Sequence, residues 1–153
     1  MTTDRFGMIV LEHHDCWELL RRSEVGRLAV AIAGRPDIFP VNFVVDHGSV
    51  VFRTAEGTKL AASVLGTAVA FEVDGYDAAS GDAWSVVLKG RAREIEAIHD
   101  VFDALDLPLF PWHASPKHRF VRIAPDELSG RRFSVVERPE RTAWAPPPTA
   151  RHE

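Results

Sequence analysis

A chain of 153 residues with 46% apolar side chains and a formal net charge of −4 is sized for one domain with a proper core. That charge carries no positive stripe of the kind a nucleic-acid protein needs. A single cysteine, Cys16, excludes an internal disulfide and fits a reducing cytoplasm, and the scattered histidines argue against a Cys/His metal cluster.

The N-terminal stretch "MTTDRFGMIVLEHHDCWELL" has no basic flank and no long apolar run, so neither a signal peptide nor a membrane anchor is expected there. "HHDCWELLRRSEVG" predicts a short helix, with Asp15 as a candidate cap, Trp17, Leu19 and Leu20 on its apolar side, and Gly26 just past its end. "RLAVAIAGRPDIFPVNFVVDHGSVVFRTA" predicts three strands, turning at Gly34 to Asp37 and again at Asp46 to Gly48. "GTKLAASVLG" predicts a short helix closed by Gly66. "TAVAFEVDGYD" is a further strand, and "AWSVVLKGRAREI" a long one in which Gly90 marks a bend or bulge. "EIEAIHDVFDAL" predicts a second helix, whose stripe of Ile95, Ile98, Val101, Phe102 and Leu105 serves packing. "HRFVRIAPDELSGRRFSV" supplies one strand and a last one.

Hairpins join these strands where a parallel fold would need crossover helices. The expected fold is therefore mainly β: an antiparallel sheet closed into a small barrel, with a few flanking α-helices. The domain is expected over residues 1–136, and the proline-rich stretch 137–153 is expected to form a tail outside the core or an arm on a partner.

"FRTAEGTK" raises the functional question, because two cations, two hydroxyls and a glycine crowd into a strand, a turn and a helix start. Gly57 permits a close backbone approach, Thr58 can cap a helix whose first N–H groups face an anion, Lys59 adds a point charge and Arg53 a bidentate fork. The group fits a phosphate monoester. Strand alternation keeps Arg53 and Thr54 on opposite faces. The plain alternative is a capped turn with solvated cations, and these residues alone leave the two readings open.

In order and spacing, "PVNF", "FRTAEGTK", "FEVD" and "WSVVLKGRA" resemble the pyridoxamine 5′-phosphate oxidase-like proteins, and among them the small actinobacterial branch, over about Leu11 to Phe133. The resemblance implies an FMN-binding split barrel and a cytoplasmic homodimer with one FMN in each interface cleft. It implies that Val41, Asn42, Phe43 and Val44 lie along the flavin ring. Arg53, Thr54, Thr58 and Lys59 would hold ribityl and phosphate, and Trp84 and Ser85 would approach the ring. The implied activity is flavin-mediated hydride transfer to or from a small organic molecule. A deazaflavin reductase on the same fold, or a flavin or haem carrier without turnover, are the alternatives. The basic and aromatic substrate residues of true pyridoxamine phosphate oxidases have no counterpart here, so vitamin B6 is not the expected substrate.

Outside these motifs, Trp112 and His113 are expected to cover the barrel mouth, with a flavin-covering role for them as the alternative. Cys16 is expected to be a small buried residue. Glu72 and Asp74 are expected to be polar strand positions.

Overall fold

The computed structural model describes residues 2–3, 8–55, 64–95 and 118–135. Among these, one α-helix, α1 (His13–Arg22), accompanies eight strands: β1 (Thr2–Thr3), β2 (Ile9–Val10), β3 (Val25–Ile32), β4 (Arg35–Asp46), β5 (Ser49–Ala55), β6 (Ala68–Tyr76), β7 (Asp82–Glu94) and β8 (His118–Ser134). Most of "GTKLAASVLG", the second predicted helix beyond Ile95 and the tail 137–153 lie outside the described residues.

Every strand pairing is antiparallel, and β8, β5, β4, β3, β6 and β7 follow one another in a sheet that closes because β7 also pairs with β8. The result is the expected split β-barrel. Two tight turns set the first hairpins. Ala33 and Gly34 have φ of 50° and 75°, and His47 and Gly48 have 49° and 66°, the left-handed pairs that match the twist of the flanking strands. The first turn is thus Ala33–Gly34, tighter than the predicted Gly34 to Asp37. Pro36 belongs to β4, in a half of the strand that pairs with β3 alone, where a missing N–H costs no ladder bond.

β8 spans 17 residues as one strand where a pair of strands was expected. Its first part pairs with β5 and its length with β7, so Val121, Arg122 and Ile123 are flanked on both sides. A register shift at Lys89/Gly90 marks the predicted irregularity. A Cβ on Gly90 would meet the carbonyl oxygen of Ala124.

Alternation fills the barrel. Leu28 and Val30, Val41 and Phe43, Val50 and Phe52, Val69, Phe71 and Val73, Val86 and Leu88, Val121 and Ile123 form one buried cluster. The Phe43 and Phe71 rings meet edge to face, 4.8 Å between centroids. α1 adds Cys16 and Leu20 to that cluster, with Trp17 and Leu19 against its edge. Gly130 leaves the room for this: a Cβ there would stand 2.6 Å from the Cys16 sulfur. The helix departs from expectation at both ends. Glu12 holds the N-cap position without a side-chain bond, and Asp15 lies within the first turn. Gly26 lies inside β3, where its missing side chain accommodates the Phe71 ring.

Candidate functional site

β5 carries the candidate anion residues on two faces. Phe52 points into the barrel; Arg53 points out, paired across to Phe120 of β8. The Arg53 guanidinium carbon lies 5.4 Å from the Phe120 ring centroid, and its Nε is shut off from solvent. Beneath lies a small second apolar cluster on the outer wall, made of Val51, Phe120 and Ile95 with Val44 against it. Thr54 faces the opposite side, 4% exposed, and its hydroxyl has no hydrogen-bond partner among the described residues. A buried orphan hydroxyl is costly. Thr54 lies on the inward side of β5 with Phe52, so its side chain is turned away from that of Arg53. Thr58 and Lys59 lie outside the described residues.

On β4 the same alternation sorts the flavin-strand candidates. Val41 and Phe43 are 8% and 4% exposed within the barrel, so only their main chain can meet a ligand outside. Asn42 and Val44 are half-buried on the other face, the face of Arg53. Phe43 pairs with Phe52, which brings Asn42 alongside Arg53. Asn42, Val44 and Arg53 are therefore one outer strip.

Trp84 and Ser85 are elsewhere. Trp84 packs against the core cluster and over Gly75, where a Cβ would stand 2.5 Å from its indole Nε1. Ser85 pairs with Asp74 on one side and Arg131 on the other. Glu94 pairs with Val121, next to the Phe120 that faces Arg53. Nine residues of β7 separate Ser85 from Glu94, about 30 Å of strand at roughly 3.3 Å per residue. A single chain does not bring Trp84–Ser85 and Arg53 to one small ligand.

The remaining charged groups form two assemblies. The Arg122 guanidinium donates to the Asp46 carboxylate at 2.9 Å, the Asp46 carbonyl at 3.0 Å and the Ser49 hydroxyl at 2.5 Å, while His47 Nδ1 lies 3.0 Å from the same carboxylate. Burial alone would raise the Asp46 carboxyl, but hydrogen bonds from His47 and Arg122 outweigh it and hold the group below the usual carboxylate range. Across the barrel, Arg27 contacts Asp74 at 2.7 Å and Glu72 at 3.2 Å. Burial, then the adjoining Asp74, push the Glu72 carboxyl up. Sequence reasoning left out Arg27, Arg93 and Arg122. Their signal was strand alternation in "GRLAVAI", "KGRARE" and "FVRIA", which sets each opposite in face to its apolar neighbours.

Cys16 is fully buried, and burial followed by Asp15 raises its thiol, so it stays protonated and is no nucleophile. A cavity of about 500 Å³ between β2 and α1 is lined by Glu12, Asp15 and Glu18 together with Arg22 and Arg132, a mixture that does not favour a phosphate. Among the described residues, no group of three His, Cys, Asp or Glu side chains could hold a metal ion, and no helix is long and apolar enough to cross a membrane. Trp112 and His113 lie outside the described residues.

Comparison with known proteins adds four observations. The pyridoxamine 5′-phosphate oxidase family model matches residues 12–132. An uncharacterized protein of Mycobacterium tuberculosis is 41% identical over 99 residues, covering 65% of this chain and 88% of its own. Among solved structures, an FAD-binding protein of Mycobacterium smegmatis superposes with a TM-score of 0.77 at 38% identity, covering 83% of this chain and 99% of its own. An FAD-binding protein of Mesorhizobium loti does so with a TM-score of 0.64 at 25% identity, covering 83% and 99%.

Proposed function

This chain belongs to the pyridoxamine 5′-phosphate oxidase family, and on that premise we propose that it binds a flavin nucleotide and uses it to oxidise or reduce a small organic molecule. The observation that carries the proposal is the outer strip of Asn42, Val44 and Arg53, with its guanidinium set over Phe120. An apolar seat, an amide and a fixed cation in a row are what a flat ring with a phosphate tail requires. The likeness to FAD-binding proteins at 38% and 25% identity supports the same reading.

Arg53 would hold the phosphate nearest the ribityl chain by charge-assisted hydrogen bonds. Asn42 would meet the polar edge of the ring, and Val44 would offer apolar contact beside it. Thr54 would meet the ligand through its main chain, and Thr58 and Lys59 would complete the phosphate contacts. A bound flavin supplies hydride transfer at its ring; the chain supplies position and a water-poor wall.

The separation of Trp84–Ser85 from Arg53 supports a reading of the assembly. If both groups touch one flavin, two copies of the chain must supply them, so the functional unit is a homodimer with its ligand at the interface. This unit would work in the cytoplasm, where the lone cysteine stays reduced.

The test is titration of the apo protein with FMN, FAD and a deazaflavin, followed by ultracentrifugation. Micromolar or tighter uptake of a flavin by a dimer is expected. Arg53→Ala should weaken uptake by about 1.5–3 kcal/mol, the worth of hydrogen bonds to a charged group. Uptake of the deazaflavin alone would keep the site and change the redox partner. Uptake of none would return the strip to a plain barrel wall.

A further inference from the structure

We propose that the outer wall carries a second anion position beside Arg53, formed by Arg93 and Arg122, and that it receives the second phosphate of a flavin dinucleotide. This rests on the flavin reading above and extends it to the form of the cofactor.

The strand register sets these cations side by side. On the outer face, Arg53 of β5 pairs with Phe120 of β8, and two residues along, Val51 pairs with Arg122. Arg122 is in turn directly opposite Arg93 of β7. Directly opposed residues of an antiparallel pair have Cβ atoms about 4.5–5.5 Å apart, and like charges there repel. Packing gives no reason for that pairing. Asp46 offsets Arg122, while Arg93 is exposed and has no partner among the described residues. Arg91, the next outward residue on β7, donates to the carbonyl of Gly66 at 2.9 Å, a neutral acceptor. Arg53, Arg91, Arg93 and Arg122 thus sit on the outer faces of three adjoining strands, and Asp46 is paired with Arg122.

The arrangement is also ordered. Arg122 is anchored by the Asp46 carboxylate, the Asp46 carbonyl and the Ser49 hydroxyl, so little side-chain freedom is left to lose when an anion arrives. Arg53 stands one strand over and two residues along, about 8 Å away at Cα from the strand spacing and rise. Two long guanidinium side chains at that separation can reach adjacent phosphates. A mononucleotide fills the position at Arg53 and leaves Arg93 facing water. A pyrophosphate running from β5 towards β7 gives Arg93 the counter-charge that Asp46 already gives Arg122.

The experiment compares FMN and FAD binding to the full-length apo protein by fluorescence titration, in the native chain, Arg93→Gln and Arg93→Lys. The native protein should hold FAD about tenfold or more tighter than FMN. Arg93→Gln should abolish that preference by weakening FAD about tenfold while leaving FMN unchanged, the effect of one lost charge-assisted contact. Arg93→Lys should restore most of it. Equal affinity of the native chain for the two flavins overturns the proposal, as does a preference for FAD that Arg93→Gln leaves intact. Failure of the native chain to take up either flavin overturns the flavin reading itself; flavin uptake that ignores Arg93 overturns only the second anion position.

Discussion

The two outer walls of this barrel handle charge in opposite ways. On the β3–β6 wall, Arg27 is shared between Glu72 and Asp74, and the cluster closes on itself with a surplus negative charge. On the β5–β8–β7 wall, arginines gather, Asp46 is paired with Arg122, and Arg93 faces Arg122 across the ladder. Both walls are built from the same alternating strands, and both bring charged side chains across a ladder. The difference teaches where to look for a ligand. Charges that neutralise one another belong to the architecture, and an excess of like charge held in one place has a use outside the chain.

The walls join along β7 at Gly90, between Ser85–Lys89 on one side and Arg91–Arg93 on the other. Breaking that joint has the largest expected effect. In Gly90→Ala the new methyl group meets the carbonyl oxygen of Ala124, backbone that has little room to give. A loss of about 1–3 kcal/mol in urea unfolding is expected. Unchanged stability would mean that the bulge yields freely and that the two walls are not rigidly registered.

Asp46 comes next, since it is the acid of the basic wall. Its carboxyl is held below the usual range, so its contribution to stability is present above the unfolded-state value and is lost as pH falls through the folded one. Asp46→Asn should cost roughly 1–2 kcal/mol at neutral pH, and the gap from the native chain should close in strong acid. A gap independent of pH would show that the clasp on Arg122 works by shape alone.

The smallest effect belongs to the self-paired wall. Arg27 is more than half exposed, so solvent screens its ion pairs. Arg27→Ala should change stability by no more than about 1 kcal/mol and should leave flavin uptake as it was. Loss of flavin uptake in that variant would erase the contrast between the walls. Glu72 refines the test, because its carboxyl is raised. The native protein has its full contribution from Glu72 below the unfolded-state value and loses it as pH rises through the folded one. Glu72→Gln should flatten that decline in a pH series of unfolding midpoints.

Much of this was legible in the sequence. "DHG" gave a two-residue turn, "RLAVAI" and "SVVFRT" alternated, and Gly90 announced its bulge, because turn chemistry and period two are local signals. The family was legible too, since four short motifs keep their order and spacing. The double pairing of β8 was not, because non-local register leaves no periodicity. Pro36 misled by resembling a turn residue while sitting on the stretch of β4 that pairs with β3 alone. Strands of two residues, such as β2, are too short to alternate. In the site, the split of Val41 and Phe43 from Asn42 and Val44 followed from alternation once β4 was placed. The opposition of Arg93 and Arg122 needed the register of strands whose paired residues lie 29 positions apart in the chain.

The closing strand also sets a timetable. β8 is the last strand of the ring and bonds to both β5 and β7. As the chain is synthesised from its N-terminus, everything through β7 precedes residues 118–134. Until those residues emerge, the nascent sheet has two bare edges that invite pairing with other chains. The ring-closing contacts join distant parts of the sequence, which makes closure slow. A newborn chain is therefore most exposed to mispairing just before its last strand arrives, and it needs that strand before the basic wall, with Arg122 on it, exists at all.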